Sequence, residues 1–383
     1  MRVSSTARPR TRRVWFMRLA LSFALLLGSA SAALLVMEGL VRLVAPQQII
    51  DLRPELWQAA DSVGHLRRPN VVTRMNTGER VVTVRTDKDG FRVGSVGRRE
   101  APTKVLLIGD SFMEALQVEH EQSTAHLLES ELAARLGRPV VVRNAGVSDW
   151  DPNQYLIRAR SLLAKEDYAL LVVSVFVGND AVNRVPYVPP RAPFERKRFH
   201  FPRALTVAEF MDGVIAPFND ALETRSHLYV LLKARFSVLR MRLGLTADYF
   251  PIDYLRAQAN SPRWVSTAAI LSELSDVAEA KGVPTIFVLV PEAFQVYSND
   301  FDDYVRGFGI DTSAVDLEQP SRRLEEELTS AGLAVIQTLD DFRAVADSSA
   351  RLFGLIDHHL TPEGHQVLAR LVSPYVVREI SRD

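Results

Sequence analysis

Val105-Leu-Leu-Ile-Gly-Asp-Ser-Phe-Met113 is an apolar run that stops at a glycine, an acid and a hydroxyl. A short strand over 104–108 followed by a helix would leave Ser111 at the carboxyl edge of a sheet, where α/β folds bind ligands. Outward from this segment the same alternation recurs. Apolar strands are expected over 140–143, 169–177, 284–290 and 334–339. Helices are expected over 114–136, 152–164, 268–281 and 322–331, the first closed by Gly137 and Pro139. The 169–177 run is apolar along almost its whole length, which suits a strand covered on both faces. A last helix has Thr361 as N-cap, Pro362 at its first position and Glu363 near its positive end. Five strands alternating with helices predict an α/β fold: a parallel five-stranded sheet in a three-layer α/β/α domain.

The segment Asp357-His-His-Leu-Thr-Pro-Glu-Gly-His365 precedes that last helix. With Ser111 it supplies a hydroxyl, a base and a carboxylate, the three groups of a serine hydrolase. Asp357 can orient an imidazole, and both His358 and His359 are candidates for the base. His365, inside the helix, reads as a packing histidine. The histidines match no common zinc spacing, so no metal is expected, and the chemistry needs no cofactor. His120 and His126, six apart on an expected helix, would face different sides. Asn144-Ala-Gly146 and Gly178-Asn-Asp180 follow the second and third strands, at the same edge as Ser111. A glycine N–H and an asparagine amide there suit an oxyanion, although Gly, Asn and Asp also make ordinary turns. The α/β-hydrolase pattern Gly-x-Ser-x-Gly is absent at this serine, because Met113 stands two residues on.

The ordered set Gly109-Asp-Ser111, Gly146, Gly178-Asn-Asp180 and Asp357-x-His359 resembles the SGNH (GDSL-type) hydrolase superfamily over about residues 100–380. The resemblance implies a flavodoxin-like fold, Ser111 as nucleophile, His359 as base and Asp357 as its orienting acid. It implies an oxyanion hole from the Ser111 N–H, the Gly146 N–H and the Asn179 side chain. The commonest form of the family places the acid three residues before the histidine, and here the gap is two. The shorter spacing, with Gly90-Phe-Arg92 upstream, is similar to a membrane-anchored bacterial branch.

The chain has 383 residues, 46 basic and 46 acidic, and no cysteine. The charge balance gives no sign of nucleic-acid binding, and the lack of cysteine excludes a thiol nucleophile and disulfides. Six arginines lie within 1–18, before any acid, and residues 19–37 carry no charge. Nineteen helical residues span about 28 Å, close to the hydrocarbon thickness of a bilayer. The expectation is a basic cytoplasmic end (1–18), a transmembrane signal anchor (19–43) in a bacterial inner membrane, and a periplasmic body. Ala30-Ser-Ala32 offers a signal-peptide cleavage site as the rival reading. Residues 44–100 read as a connector with a short strand over 79–85 and a turn at Gly90, and the hydrolase domain fills 101–383. Within it, 184–265 interrupts the alternation, opening with prolines and basic residues and carrying a helix over 220–243. A segment of this length reads as a lid or partner surface, or as structural elaboration. The functional expectation is a serine esterase acting on acylated envelope carbohydrate or lipid. The alternatives are an acyltransferase or deacetylase of a polysaccharide assembly system, and a non-catalytic glycan binder.

Overall fold

The computed structural model describes residues 10–47, 49, 53–181, 199–200, 206–243, 255–256, 261–308, 312, 315–347, 350–355 and 357–382. The chain forms two compact units: Met1–Ile49 with Arg198–Phe236, and Ile50–Lys197 with Ser237–Asp383.

Among the described residues, the larger unit holds ten strands. Five lie upstream of the expected domain: β1 (Trp57–Ala60), β2 (Gly64–Arg67), β3 (Val72–Asn76), β4 (Val81–Thr86) and β5 (Arg92–Val93). β1 and β2 form an antiparallel pair, and β3, β4 and β5 a small antiparallel sheet. Residues 53–100 are therefore part of the globular body rather than a spacer. Leu56, Trp57, Met75, Val84 and Phe91 are buried in the same core cluster as Leu106 and Ile108. The reason is the alternation along β4, whose Val82 and Val84 point inward.

The central sheet contains β6 (Thr103–Ile108), β7 (Val140–Asn144), β8 (Leu170–Phe176), β9 (Thr285–Val290) and β10 (Val335–Gln337). All its pairings are parallel, in the order β10-β9-β8-β6-β7. Counted from β6 this is 2-1-3-4-5 reversed, the flavodoxin-like order, with its switch point beside β6. The five expected strands are all present. Side chains alternate between two cores. Val105, Leu107, Val172 and Val288 pack with helices Thr124–Leu136 and Pro362–Ile380. Leu106, Ile108, Leu171, Val173 and Phe287 pack with helices Pro152–Leu163, Pro262–Glu279 and Gln319–Ser330. Helices thus cover both faces, which is why these strands are apolar on both sides.

The expected helix over 114–136 is broken. A single turn, Ser111–Glu114, ends at Ala115 in the left-handed region (φ 56°). A 3₁₀ turn, His120–Gln122, follows, and Ser123 then caps helix Thr124–Leu136 by accepting from the His126 N–H. This break overturns the reading that His120 and His126 face different sides: their rings lie 5.2 Å apart. The last helix begins as expected, with the Thr361 hydroxyl accepting from the Gly364 N–H. His365, buried in that helix, meets the Thr124 hydroxyl through Nδ1 at 2.8 Å.

In the smaller unit one continuous helix, Arg10–Val44, carries the apolar stretch, and Val14–Val44 is long and apolar enough to cross a membrane. The helix expected over 220–243 is two, Ala216–Glu223 and His227–Arg242, because Ser226 caps the second through the Tyr229 N–H. Helix Val207–Phe210 and a π-turn over Met211–Ile215 precede them. The proline-rich opening of the insertion, over 184–198, lies outside the described residues.

Candidate active site

Ser111 opens the single helical turn after β6, and its own N–H is among those a helix start leaves without a partner inside the helix. Asp110 caps the turn, accepting from the Phe112 N–H at 2.9 Å. Across 248 residues of chain, His359 Nε2 stands 2.8 Å from Ser111 Oγ. The Phe112 ring packs 4.9 Å from the imidazole.

His359 Nδ1 faces two acceptors. The backbone carbonyl of Asp357 is at 3.0 Å, and the nearer carboxylate oxygen of Asp357 is at 3.7 Å. Neither can donate, so the neutral ring carries its proton on Nδ1 and offers the Nε2 lone pair to the serine. Asp357 is itself held by the His359 N–H at 3.1 Å. The two-residue spacing accounts for this geometry: the backbone of Asp357 reaches Nδ1, and its carboxylate sits one step beyond hydrogen-bond length. Burial lowers the His359 pKa below the ordinary imidazole value, against the raising effect of the Asp357 carboxylate.

The competing histidine is turned elsewhere. His358 Nδ1 lies 3.2 Å from Glu292 Oε1, and its ring meets Phe294 edge-on at 4.7 Å. His358 adopts a left-handed backbone (φ 55°), which costs a non-glycine residue about 1–2 kcal/mol. Glu292, buried just past β9, belongs to a pairing that the sequence reading did not find. Its only signal was an acid directly after an apolar strand at the serine's edge of the sheet.

Two segments lie against the turn that carries Ser111. A Cβ at Gly146 would come within 2.5 Å of the Met113 Cβ and 2.9 Å of the Glu114 nitrogen, so only glycine fits there. The buried Asn144 side chain donates to the Met113 carbonyl at 2.6 Å and accepts from the Gly146 N–H at 3.0 Å. The Gly146 N–H is therefore already engaged, and an oxyanion would compete with Asn144 for it. Asn179 is exposed, and one of its amide hydrogens reaches toward Asp110 Oδ2 at 3.5 Å, leaving the other for a ligand.

Beneath the turn lies a charge cluster that no local motif announced. The buried Glu114 carboxylate accepts from Trp57 Nε1 at 3.2 Å and from the Ser148 N–H at 2.7 Å. Arg92 of the Gly90-Phe-Arg92 segment donates to the carbonyls of Glu114 (2.8 Å), Ala115 and Val118. It thereby satisfies the carbonyl end of the Ser111 turn. Arg67 donates to the Asn144 carbonyl. Burial lowers both guanidinium groups to about 10, and the Glu114 charge opposes that in each. Gly90 has φ +82°, and a Cβ there would meet the Arg67 carbonyl oxygen at 2.7 Å, which holds this segment to glycine.

Two further buried carboxyls lie near Asn179. Burial pushes Asp110 up to about 7. Asp180, held by the Phe176 N–H (2.8 Å) and the Tyr155 hydroxyl (3.0 Å), is raised well above the usual range by burial and by the Asp110 charge. An unfolded aspartate titrates near 3.9. Between that value and about 7 the folded chain binds more protons at Asp110 than the unfolded chain, so this group's contribution to stability is full at low pH and is lost as pH rises. Asp110→Asn keeps a capping oxygen and removes the charge. The urea midpoint at pH 7.5 relative to that at pH 5 should be higher in this variant than in the parent. An unchanged gap would contradict the protonation of Asp110.

No family model matches this chain, and no significantly similar curated protein was found. Solved structures do match. One is TesA, 15% identical with a TM-score of 0.37, covering 73% of this chain and 99% of its own. Another is a member of the lipolytic protein G-D-S-L family from Veillonella parvula, 9% identical with a TM-score of 0.37, covering 70% of this chain and 96% of its own. A third is a catalytic mutant of the acetylxylan esterase Axe2 from Geobacillus stearothermophilus, at 14% and 0.38, covering 74% and 95%. Among the described residues, no group of three or more histidine, aspartate or glutamate side chains is placed to hold a metal ion.

Proposed function

We propose that this protein is an extracytoplasmic serine esterase of the SGNH type, anchored by its N-terminal helix and acting on O-acyl esters of envelope carbohydrate or lipid. The observation that carries the reading is the 2.8 Å approach of His359 Nε2 to Ser111 Oγ, with acceptors alone around Nδ1. Ser111 Oγ attacks the ester carbonyl carbon and passes its proton to His359 Nε2. The carbon–oxygen bond to the alcohol breaks as His359 gives that proton to the leaving oxygen. Water then attacks the acyl-serine, loses a proton to Nε2, and releases the acid as Ser111 Oγ is reprotonated. The negative charge of each tetrahedral intermediate falls to the Ser111 N–H and the Asn179 amide, with Gly146 sharing its N–H.

The test is covalent. A fluorophosphonate probe should modify Ser111, seen as a mass increase on its peptide, and the protein should hydrolyse short-chain aryl acetates. A folded protein that neither labels nor hydrolyses would refute the esterase reading. Faster acyl transfer to an added saccharide than to water would assign a transferase instead. The base must be neutral to act, and burial lowers the His359 pKa. The kcat/KM profile should therefore rise with pH and reach half its plateau below about 6.5, the ordinary histidine value. A midpoint above that value would contradict the buried setting of this imidazole.

A further inference from the structure

We propose that the helices of the insertion, over 207–242, lie in the interface of the same membrane that the N-terminal helix enters, with lipid covering their apolar side. The inference rests on the anchor reading and extends it to a second part of the chain. Residues 19–37 are uncharged and span about 28 Å as a helix, so Glu38 stands at the end of the hydrocarbon-length stretch. That carboxylate is where the insertion is fastened. Glu38 accepts from the Ser226 hydroxyl at 2.8 Å and from the N–H groups of His227 and Leu228 at 3.0 and 2.9 Å. Arg42 donates to the Arg225 carbonyl at 2.9 Å, and the Gln47 N–H donates to His227 Nδ1 at 2.8 Å. The turn over 224–226 is thus held at the level where the apolar stretch of the anchor ends.

The helices on either side of this turn leave large apolar side chains outside. Phe210 and Phe218 are 49% and 64% exposed before it. Leu232, Phe236 and Leu239 are 55%, 61% and 51% exposed after it. The last three recur at intervals of four and three, which puts them on one side of helix His227–Arg242. Single exposed leucines are ordinary, but an apolar stripe on one helix, with exposed phenylalanines on two elements before it, marks a membrane or protein contact. Fastening to the end of the spanning helix favours lipid, because that end already sits where headgroups meet acyl chains. Arg225 and Arg235 are exposed on the same elements and suit anionic headgroups.

Because the chain has no cysteine, single cysteines carrying a nitroxide label can be placed at will. The full-length protein would be labelled at Leu25, Phe218, Phe236 or Glu273 and reconstituted in nanodiscs containing phosphatidylglycerol. Relaxation by oxygen, which dissolves in lipid, would be compared with relaxation by a water-soluble nickel complex. Leu25, Phe218 and Phe236 should favour oxygen at least several-fold over the Glu273 label. Oxygen at Leu25 with nickel at Phe218 and Phe236 would overturn the proposal and leave the anchor standing. Spin–spin broadening at Phe218 or Phe236 that vanishes on dilution with unlabelled protein would assign the stripe to a second copy, and would also overturn it. Nickel access at Leu25 would remove the anchor reading and this inference together.

Discussion

Ser111→Ala is expected to lower kcat for ester hydrolysis by about 10⁶-fold, and His359→Ala by a similar factor, with the double variant no worse than either. The two act as one unit, because the hydroxyl at 2.8 Å from Nε2 attacks only as its proton leaves. His358→Ala should keep activity within about tenfold, since its ring is turned to Glu292 and Phe294 rather than to the serine. Asp357→Ala should cost less than either Ser111→Ala or His359→Ala, although removal of a triad acid can still cost about 10⁴-fold. The backbone carbonyl of Asp357, which alanine retains, stays 3.0 Å from Nδ1 and continues to hold the tautomer. Steady-state kinetics on an aryl acetate, with circular dichroism to confirm folding, would separate these cases. Full activity in His359→Ala and none in His358→Ala would reverse the assignment of the base.

Glu114→Ala is expected to destabilise the protein by about 3–5 kcal/mol, as when one partner of a buried charge group is removed. The carboxylate is fully buried and counters two guanidinium groups, Arg67 and Arg92, that are themselves buried. Its loss removes the anion with the largest raising effect on both cations and leaves the Ser148 N–H and Trp57 Nε1 without their acceptor. Glu114→Gln retains an acceptor and removes the charge, so it should fall between alanine and the parent. Urea unfolding gives both values. An alanine variant with the parental midpoint would show that Glu114 does not balance the arginines. Should the alanine variant not fold at all, the glutamine variant still reports the charge term.

The cluster around Glu114 also gives residues 53–100 their structural part. Trp57, Arg67 and Arg92 come from β1, β2 and β5, and all three end on or near the turn that carries Ser111. A stretch that reads as a connector by its prolines is built into the support of the turn that carries Ser111. Its small strands gave a weak signal, because runs of four to six residues are short and the partners that cover them are far away in sequence.

Local chemistry in the sequence was enough to place the central sheet. Apolar runs such as 169–177 have few ways to hide both faces, and a parallel sheet between helices is one of them. It was also enough to bring Ser111, Gly146 and Asn179 to strand ends, and to cap the last helix with Thr361, since turns and caps depend on neighbouring residues. Tertiary structure alone decided the rest. Which of two adjacent histidines faces the serine was set by Glu292 and Phe294, 64 to 66 residues away, drawing His358 aside. The break after Glu114 was set by the left-handed Ala115, whose carbonyl, with that of Glu114, accepts from Arg92 of another sheet. The burial of Glu114 near two distant arginines, and the hydrogen bonding of Glu38 to a turn 188 residues on, have no local trace. A helix or strand is encoded by neighbours a few residues apart, whereas a buried charge finds its partner only when folding brings remote segments together and removes the water between them.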